Sequence, residues 1–200
     1  MRLILLRHGE TIWNIDKRLQ GHDNAPLSPR GIAQAKSIIP SIQKLSPARV
    51  VMSDLGRARQ TAEIIGYGDA PADAGLRELN MGVWTGKCKP DLIDTYPKLY
   101  QAWRAGTFTP EGGEEWHMFV LRVKNSLRLW LQAGDGDLLA VVHSGVIRAA
   151  CFTFLNLKPA QILPVTPGSL TILNFASITS QPQLEAYNVG MTAPDIQVAD

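Results

Sequence analysis

Arg7-His8-Gly9-Glu10-Thr11, Ser53-Asp54-Leu55-Gly56-Arg57 and His143-Ser144-Gly145 each follow directly on a short apolar run. Two histidines and two arginines thus stand at or just beyond the ends of candidate strands. Their types suit a phosphate monoester. Arginine offers a planar fork of donors to the oxygens of a dianion. A neutral imidazole nitrogen can attack phosphorus in line and hold the phosphoryl group covalently, splitting one displacement into two. A second imidazole, protonated, can donate to the equatorial oxygens as charge redistributes in the transition state. The leaving alkoxide needs an acid, and Glu78 in Leu76-Arg77-Glu78-Leu79-Asn80 is a candidate on a fourth loop. Taken singly, a histidine or arginine at a strand end is more often a surface or hydrogen-bonding residue, and His22 and His117 are read that way.

Positioning these residues is the task of the elements around them. Arg2 to Leu6, Arg49 to Ser53 and Asp137 to Val142 are short apolar runs that end in charge, as strands buried on both faces do. Ser169 to Phe175 and Gln183 to Val189 are weaker strand patterns. Ser28 followed by Pro29 gives an N-cap and a first-turn proline. Ile32, Ala35, Ile38, Ile39 and Ile42 then form one apolar stripe at helical spacing. Arg57 to Ile65, a helix from Glu114 that stops before Gly134, and Gly145 to Leu155 complete the pattern. Strands alternating with helices predict an α/β chain, with the loops at the strand ends meeting at the carboxyl edge of a mainly parallel sheet. Residues 84–113 hold Trp84, Tyr96, Tyr100, Trp103 and Phe108 between prolines and glycines, which suggests a lid or pocket wall over the sheet edge. These aromatics and Met81 are read first as packing.

Composition narrows the partners. The chain has 200 residues, 45% of them hydrophobic, 19% charged, and a net charge of +2. This predicts one domain over 1–200 and gives no case for a nucleic acid or membrane partner. Cys88 and Cys151 show no ligand spacing, and they are expected as free thiols in a reducing compartment. Leu3 to Leu6 is too short for a signal or a span, so a cytoplasmic protein is expected. A homodimer stays open.

At these same residues the sequence resembles the histidine phosphatase superfamily, also called phosphoglycerate-mutase-like. Leu6-Arg7-His8-Gly9-Glu10-Thr11 with Trp13-Asn14 is similar to its first motif, and Gln20-Gly21 and Leu27-Ser28-Pro29-Arg30-Gly31 continue it. Ser53 to Ala58 with Gln60-Thr61-Ala62, Leu76-Arg77-Glu78, Gly112-Gly113-Glu114 and Val142-His143-Ser144-Gly145-Val146-Ile147-Arg148 follow in the family's order. The resemblance implies a three-layer α/β/α sandwich and a phosphohistidine on His8. It implies Arg7, Arg57 and His143 around the phosphate, Asn14 as a further oxygen ligand, Glu78 as proton donor, and no metal or cofactor. Gln20, Gly21 and Ser144 are expected beside the substrate. Ser144 stands where many members have glycine, and Glu115 where a serine is common.

The partner implied is a small-molecule phosphate ester. Hydrolysis is favoured over return of the phosphoryl group to the substrate, because the chain has little room for the segments that close over phosphoglycerate in the mutases. Within the superfamily, the Leu76 to Gly82 run and its spacing to Gly113-Glu114 resemble the α-ribazole phosphatases. A broad-range sugar phosphatase, a cofactor-dependent mutase and a non-catalytic phosphate binder are the alternatives. With His8 neutral and His143 protonated in their roles, a bell-shaped pH profile is expected.

Overall fold

The computed structural model describes residues 1–190. Its sheet has six strands: β1 (Arg2–Arg7), β2 (Arg49–Ser53), β3 (Ala72–Asp73), β4 (Leu138–Val142), β5 (Leu170–Asn174) and β6 (Gln183–Val189), in the order β3-β2-β4-β1-β5-β6. Strands β3, β2, β4 and β1 run parallel, while β5 and β6 add an antiparallel edge.

Both faces of this sheet are covered, as the apolar runs require. On β1, Leu3 and Leu5 face one core with Leu138, Ala140 and Val142 of β4, and Ile4 and Leu6 face the other with Leu139 and Val141. This is the two-residue alternation of a strand, with apolar residues at every position because neither face meets water. The first layer holds α7 (Trp116–Gln132) and α8 (Ser144–Leu155), which supply Phe119, Val123, Leu127, Val146 and Ile147. The second holds α2 (Pro29–Ser37), α3 (Ile39–Leu45) and α4 (Gly56–Ile64), through Ala35, Ile42, Ala58 and Ala62. The architecture is the expected three-layer α/β/α sandwich.

Local sequence accounts for the helix starts. Ser28 Oγ accepts the Gly31 N–H at 3.0 Å and caps α2, with Pro29 in its first turn. The stripe from Ile32 to Ile42 is not one helix, however. Pro40 has no N–H to donate and its ring crowds the preceding turn, so α2 stops at Ser37, Ile38 is the cap between the two helices, and α3 begins at Ile39. Ile32 is partly exposed, and Ala35, Ile38 and Ile42 carry the buried contact.

The excursion over 84–113 is also more regular than its composition suggested. It contains α5 (Lys89–Thr95) and α6 (Pro97–Arg104), each with proline in the first turn. Trp84, Tyr100, Trp103 and Phe108 pack on one another, with ring centroids 5.5 Å apart for Trp84–Phe108 and 5.8 Å for Trp84–Trp103. The packing reading of these aromatics holds, while Tyr96 is exposed. Among the described residues no helix is long and apolar enough to cross a membrane.

Candidate active site

Strand pairing builds the site. Arg7 is in register with Val142 on the adjacent parallel strand, so the next residues, His8 and His143, leave the sheet side by side. Their ring centroids lie 5.2 Å apart at 59°. The end of β2, on the other side of β4, brings Ser53, and the first turn of α4 brings Arg57.

His8 is buried, and its tautomer follows from its neighbours. Nδ1 lies 2.8 Å from the Gly9 carbonyl, which only accepts, so Nδ1 carries the proton. Nε2 is then a bare lone pair, and the Arg57 Nε–H donates to it at 3.2 Å. Arg57 donates further to the carbonyls of Asp23 (2.8 Å) and Gly21 (2.9 Å). Gly21 thus lies in the site through its carbonyl, at a φ of +52° that glycine adopts without strain. Arg7 is fully buried and donates through Nη1 to the Val165 carbonyl.

The electrostatics are those of a buried cationic pocket. Burial brings Arg7 and Arg57 down to about 10, against the opposing pull of Glu78, and both stay charged at neutral pH. Burial, then Arg57 and Arg7, hold His8 well below its ordinary value. His143 is lowered likewise, by burial, Arg57, His8, Arg7 and His22. Both imidazoles are therefore neutral without a ligand. A bound dianion opposes the repulsion from the arginines and raises the affinity of His143 for a proton. His143 Nε2 lies 2.8 Å from Ser53 Oγ, whereas its buried Nδ1 has no hydrogen-bond partner among the described residues.

Glu78 is brought in by a clamp. Its Oε1 accepts the Leu79 N–H (2.8 Å) and its Oε2 the Gly145 N–H (3.0 Å) in the first turn of α8, two residues past His143. A Cβ at Gly145 would stand 2.0 Å from Glu78 Oε1, so glycine is required for this approach. Arg122 on α7 donates to the carbonyls of Gly75 (3.0 Å) and Arg77 (3.1 Å) and is itself held by both oxygens of Glu114. The Gly112-Gly113-Glu114 segment therefore acts on the loop that carries Glu78.

The remaining expected residues are all buried, with different engagements. Asn14 Oδ1 accepts from the Thr11 N–H (2.9 Å) and hydroxyl (3.0 Å). Gln20 is buried with its Oε1 unpartnered among the described residues, and Ser144 begins α8. His22 is a hydrogen-bonding residue, as expected, and donates from Nε2 to the Glu78 carbonyl at 2.9 Å. That contact brings it to the edge of the site, which its sequence neighbours do not signal. His117 lies on the surface against Glu115. Sequence reasoning gave no role to Ser53, or to Thr61, whose hydroxyl accepts the Gly9 N–H (3.1 Å) and donates to the Arg57 carbonyl (2.8 Å). Both lie inside quoted motifs, but only the fold gives them partners.

The family model described as histidine phosphatase superfamily (branch 1) matches residues 3–189. A protein of Escherichia fergusonii named probable phosphoglycerate mutase GpmB is 44% identical over 155 residues, covering 73% of this chain and 70% of its own. A Cronobacter sakazakii protein of the same name is 33% identical over 167 residues, covering 78% and 76%. Among solved structures, a mycobacterial glucosyl-3-phosphoglycerate phosphatase in complex with VO3 superposes with a TM-score of 0.84 at 30% identity, over 94% of this chain and 98% of that one. A proposed α-ribazole-5'-P phosphatase from Escherichia coli K-12 gives 0.80 at 25% identity, over 96% and 99%.

Proposed function

The chain belongs to the histidine phosphatase superfamily, and from that premise we propose that this phosphatase hydrolyses small phosphate monoesters through a phosphohistidine on His8. The observation that carries the reading is the tautomer of His8. The Gly9 carbonyl takes the Nδ1 proton and leaves Nε2 as a lone pair beside Arg57.

In the first step Nε2 attacks phosphorus, the N–P bond forms and the ester P–O bond breaks. Arg7, Arg57, the protonated His143 and the amide of Asn14 hold the three equatorial oxygens. Glu78, as its carboxylic acid, gives its proton to the departing alkoxide. The resulting carboxylate then takes a proton from water as that water attacks the phosphohistidine. The N–P bond breaks, inorganic phosphate leaves, and His8 and Glu78 return to their starting states. No metal or cofactor enters this cycle. Gln20, Gly21 and Ser144 line the approach to the phosphate.

Two substrate readings have support. The mycobacterial neighbour acts on a phosphorylated sugar acid and the curated relatives are named phosphoglycerate mutases, which favours a phospho acid. The Escherichia coli neighbour favours α-ribazole 5'-phosphate. Trp84, Tyr100, Trp103 and Phe108 pack on one another, so stacking of a benzimidazole on Trp84 or Trp103 is not what supports that second reading. Against transfer to a second hydroxyl of the substrate, the solved phosphatases match this chain over almost their whole length.

The test is phosphate release in EDTA from p-nitrophenyl phosphate, α-ribazole phosphate and 3-phosphoglycerate, with His8→Ala beside the wild type. Release that survives EDTA and is lost in His8→Ala is expected. Release that persists in His8→Ala, or none from any ester by folded protein, would overturn the reading.

A further inference from the structure

The Gly9 carbonyl that holds the His8 Nδ1 proton belongs to the peptide between Gly9 and Glu10. The other end of that peptide, the Glu10 N–H, donates to Oε1 of Gln34 at 2.9 Å. Gln34 is buried on α2, and the phosphoryl chemistry makes no direct use of it. Close backbone contact brings it there. A Cβ at Gly9 would stand 2.4 Å from the Gly31 carbonyl oxygen, and one at Gly31 would stand 2.0 Å from the Glu10 carbonyl oxygen. The Ser28 N–H donates to that same Glu10 carbonyl at 2.8 Å. The loop that carries the nucleophile is thus seated on the start of α2, and Gln34, three residues beyond Gly31, reaches the Glu10 N–H.

A peptide is planar, so fixing the direction of its N–H fixes the direction of its C=O. Turning the Gly9 carbonyl away from His8 Nδ1 therefore means breaking the Gln34 bond too. The two bonds also polarise each other. A buried peptide whose N–H donates becomes a better acceptor at its oxygen. That matters for this imidazole, because burial, Arg57 and Arg7 all lower its affinity for a proton and the Gly9 carbonyl raises it. The preceding peptide is pinned separately from α4, where Thr61 Oγ1 accepts the Gly9 N–H at 3.1 Å. Gly9, the residue with the most backbone freedom, is held at both of its peptides.

We propose that Gln34 is a positioning residue for the nucleophile, acting through the Gly9–Glu10 peptide to keep the His8 proton on Nδ1 and the Nε2 lone pair free to attack. This relay rests on the reading that His8 receives the phosphoryl group. Its effect falls on the attack and not on phosphate binding, because Gln34 acts on the peptide behind the imidazole and not on Arg7 or Arg57.

The test compares the wild type with Gln34→Met, which keeps the length and loses the acceptor, and with Gln34→Glu, which keeps an oxygen for the Glu10 N–H in either protonation state. Gln34→Met should lower kcat/KM for p-nitrophenyl phosphate about tenfold, the scale of one hydrogen bond, with Ki for inorganic phosphate held within about twofold. Gln34→Glu should recover most of that loss. Nitrogen and proton NMR of the ligand-free proteins reads the relay directly. In Gln34→Met the His8 Nδ1 proton should move upfield as its bond to Gly9 weakens, and the Nε2–H tautomer should begin to appear. A Gln34→Met protein with the wild-type rate and an unshifted Nδ1 proton would overturn the relay. So would one that loses rate and phosphate affinity together while the proton stays unshifted, since Gln34 would then only hold the fold. If Gln34→Met does not fold, Gln34→Asn, whose amide stops one methylene short of the Glu10 N–H, decides by the same readings. His8→Ala keeps the two claims apart. Phosphate release lost in His8→Ala, beside an unmoved Nδ1 proton in Gln34→Met, leaves the phosphatase reading standing and removes the relay. A shifted proton beside release that survives His8→Ala upholds the hold of Gln34 on His8 and removes the phosphatase reading.

Discussion

The Gly9 carbonyl and the Arg57 guanidinium between them decide what His8 can do. The first holds the proton on Nδ1, and the second points a donor at Nε2 and keeps a proton from binding there. Burial is the largest cause that keeps a second proton off His8, against the pull of the Gly9 carbonyl, and it lowers His8 and His143 together. The sign follows directly: a lowered histidine stays neutral as pH falls through its ordinary value of about 6.5. We therefore expect nitrogen NMR of the ligand-free protein at about pH 6 to show His8 neutral with the proton on Nδ1. His143 should also be neutral, and vanadate should raise its protonation. A His8 already cationic at that pH, or protonated on Nε2, would remove the nucleophile. The bell-shaped rate profile expected from the sequence keeps its form under this reading, with the protonation of His143 set by the bound dianion.

At the scale of elements, the first turn of α8 does two jobs. It begins at the residue after His143, and its Gly145 N–H receives Glu78. Gly145→Ala sets two effects against each other. Alanine gains up to ~1 kcal/mol of helix propensity over glycine. Its Cβ, however, would stand 2.0 Å from Glu78 Oε1 and displace the Gly145 N–H bond to the carboxyl, worth about 0.5–1.5 kcal/mol. Stability should then change by no more than about 2 kcal/mol, while kcat falls about a hundredfold because the acid has moved. Urea unfolding and steady-state kinetics on one substrate check this, and an unaltered kcat would show that Glu78 is not the proton donor. The Glu114–Arg122 pair holds the loop that carries Glu78 through its backbone carbonyls. It fastens the backbone of residues 75–78 to α7 and leaves the Glu78 side chain to α8.

At the scale of the molecule, two neutral histidines inside a cationic pocket make stability depend on pH. Unfolded, each would take a proton below about pH 6.5, and folded each is held from doing so. The unfolded state then binds more protons, so stability falls as pH drops below about 6.5, by up to ~1.4 kcal/mol per unit for each histidine. Denaturant unfolding between about pH 7 and pH 5 should show this slope, and the His8→Gln/His143→Gln double variant should flatten it. An identical slope in both proteins would mean that other groups carry the acid sensitivity. The rest of the fold is an ordinary balance of two cores on one sheet, closed on one side by α7 and α8 and on the other by α2, α3 and α4.

Much of this was legible in the residues themselves. Apolar runs ending in Arg7-His8 and in His143 announce buried parallel strands with chemistry at their carboxyl ends, because a strand covered on both faces can carry charge only where it leaves the sheet. Ser28-Pro29 marks a helix start through its own hydroxyl and ring. Pro40 also carried its signal, a missing N–H, which the strength of the isoleucine stripe masked. The sequence by itself therefore determined the alternation of strands and helices, the strand ends and the charged residues that meet beyond them, since each depends on local periodicity or on a single residue's chemistry. The three layers and the roles of His8 and Asn14 came from the family resemblance. Only the tertiary structure decided the tautomer of His8 and the clamp of Arg122 on the Glu78 loop. Trp84, Tyr100, Trp103 and Phe108 likewise found each other. Each of these depends on which distant carbonyl, ring or carboxylate reaches a side chain, and strand order and helix packing, not spacing along the chain, set that.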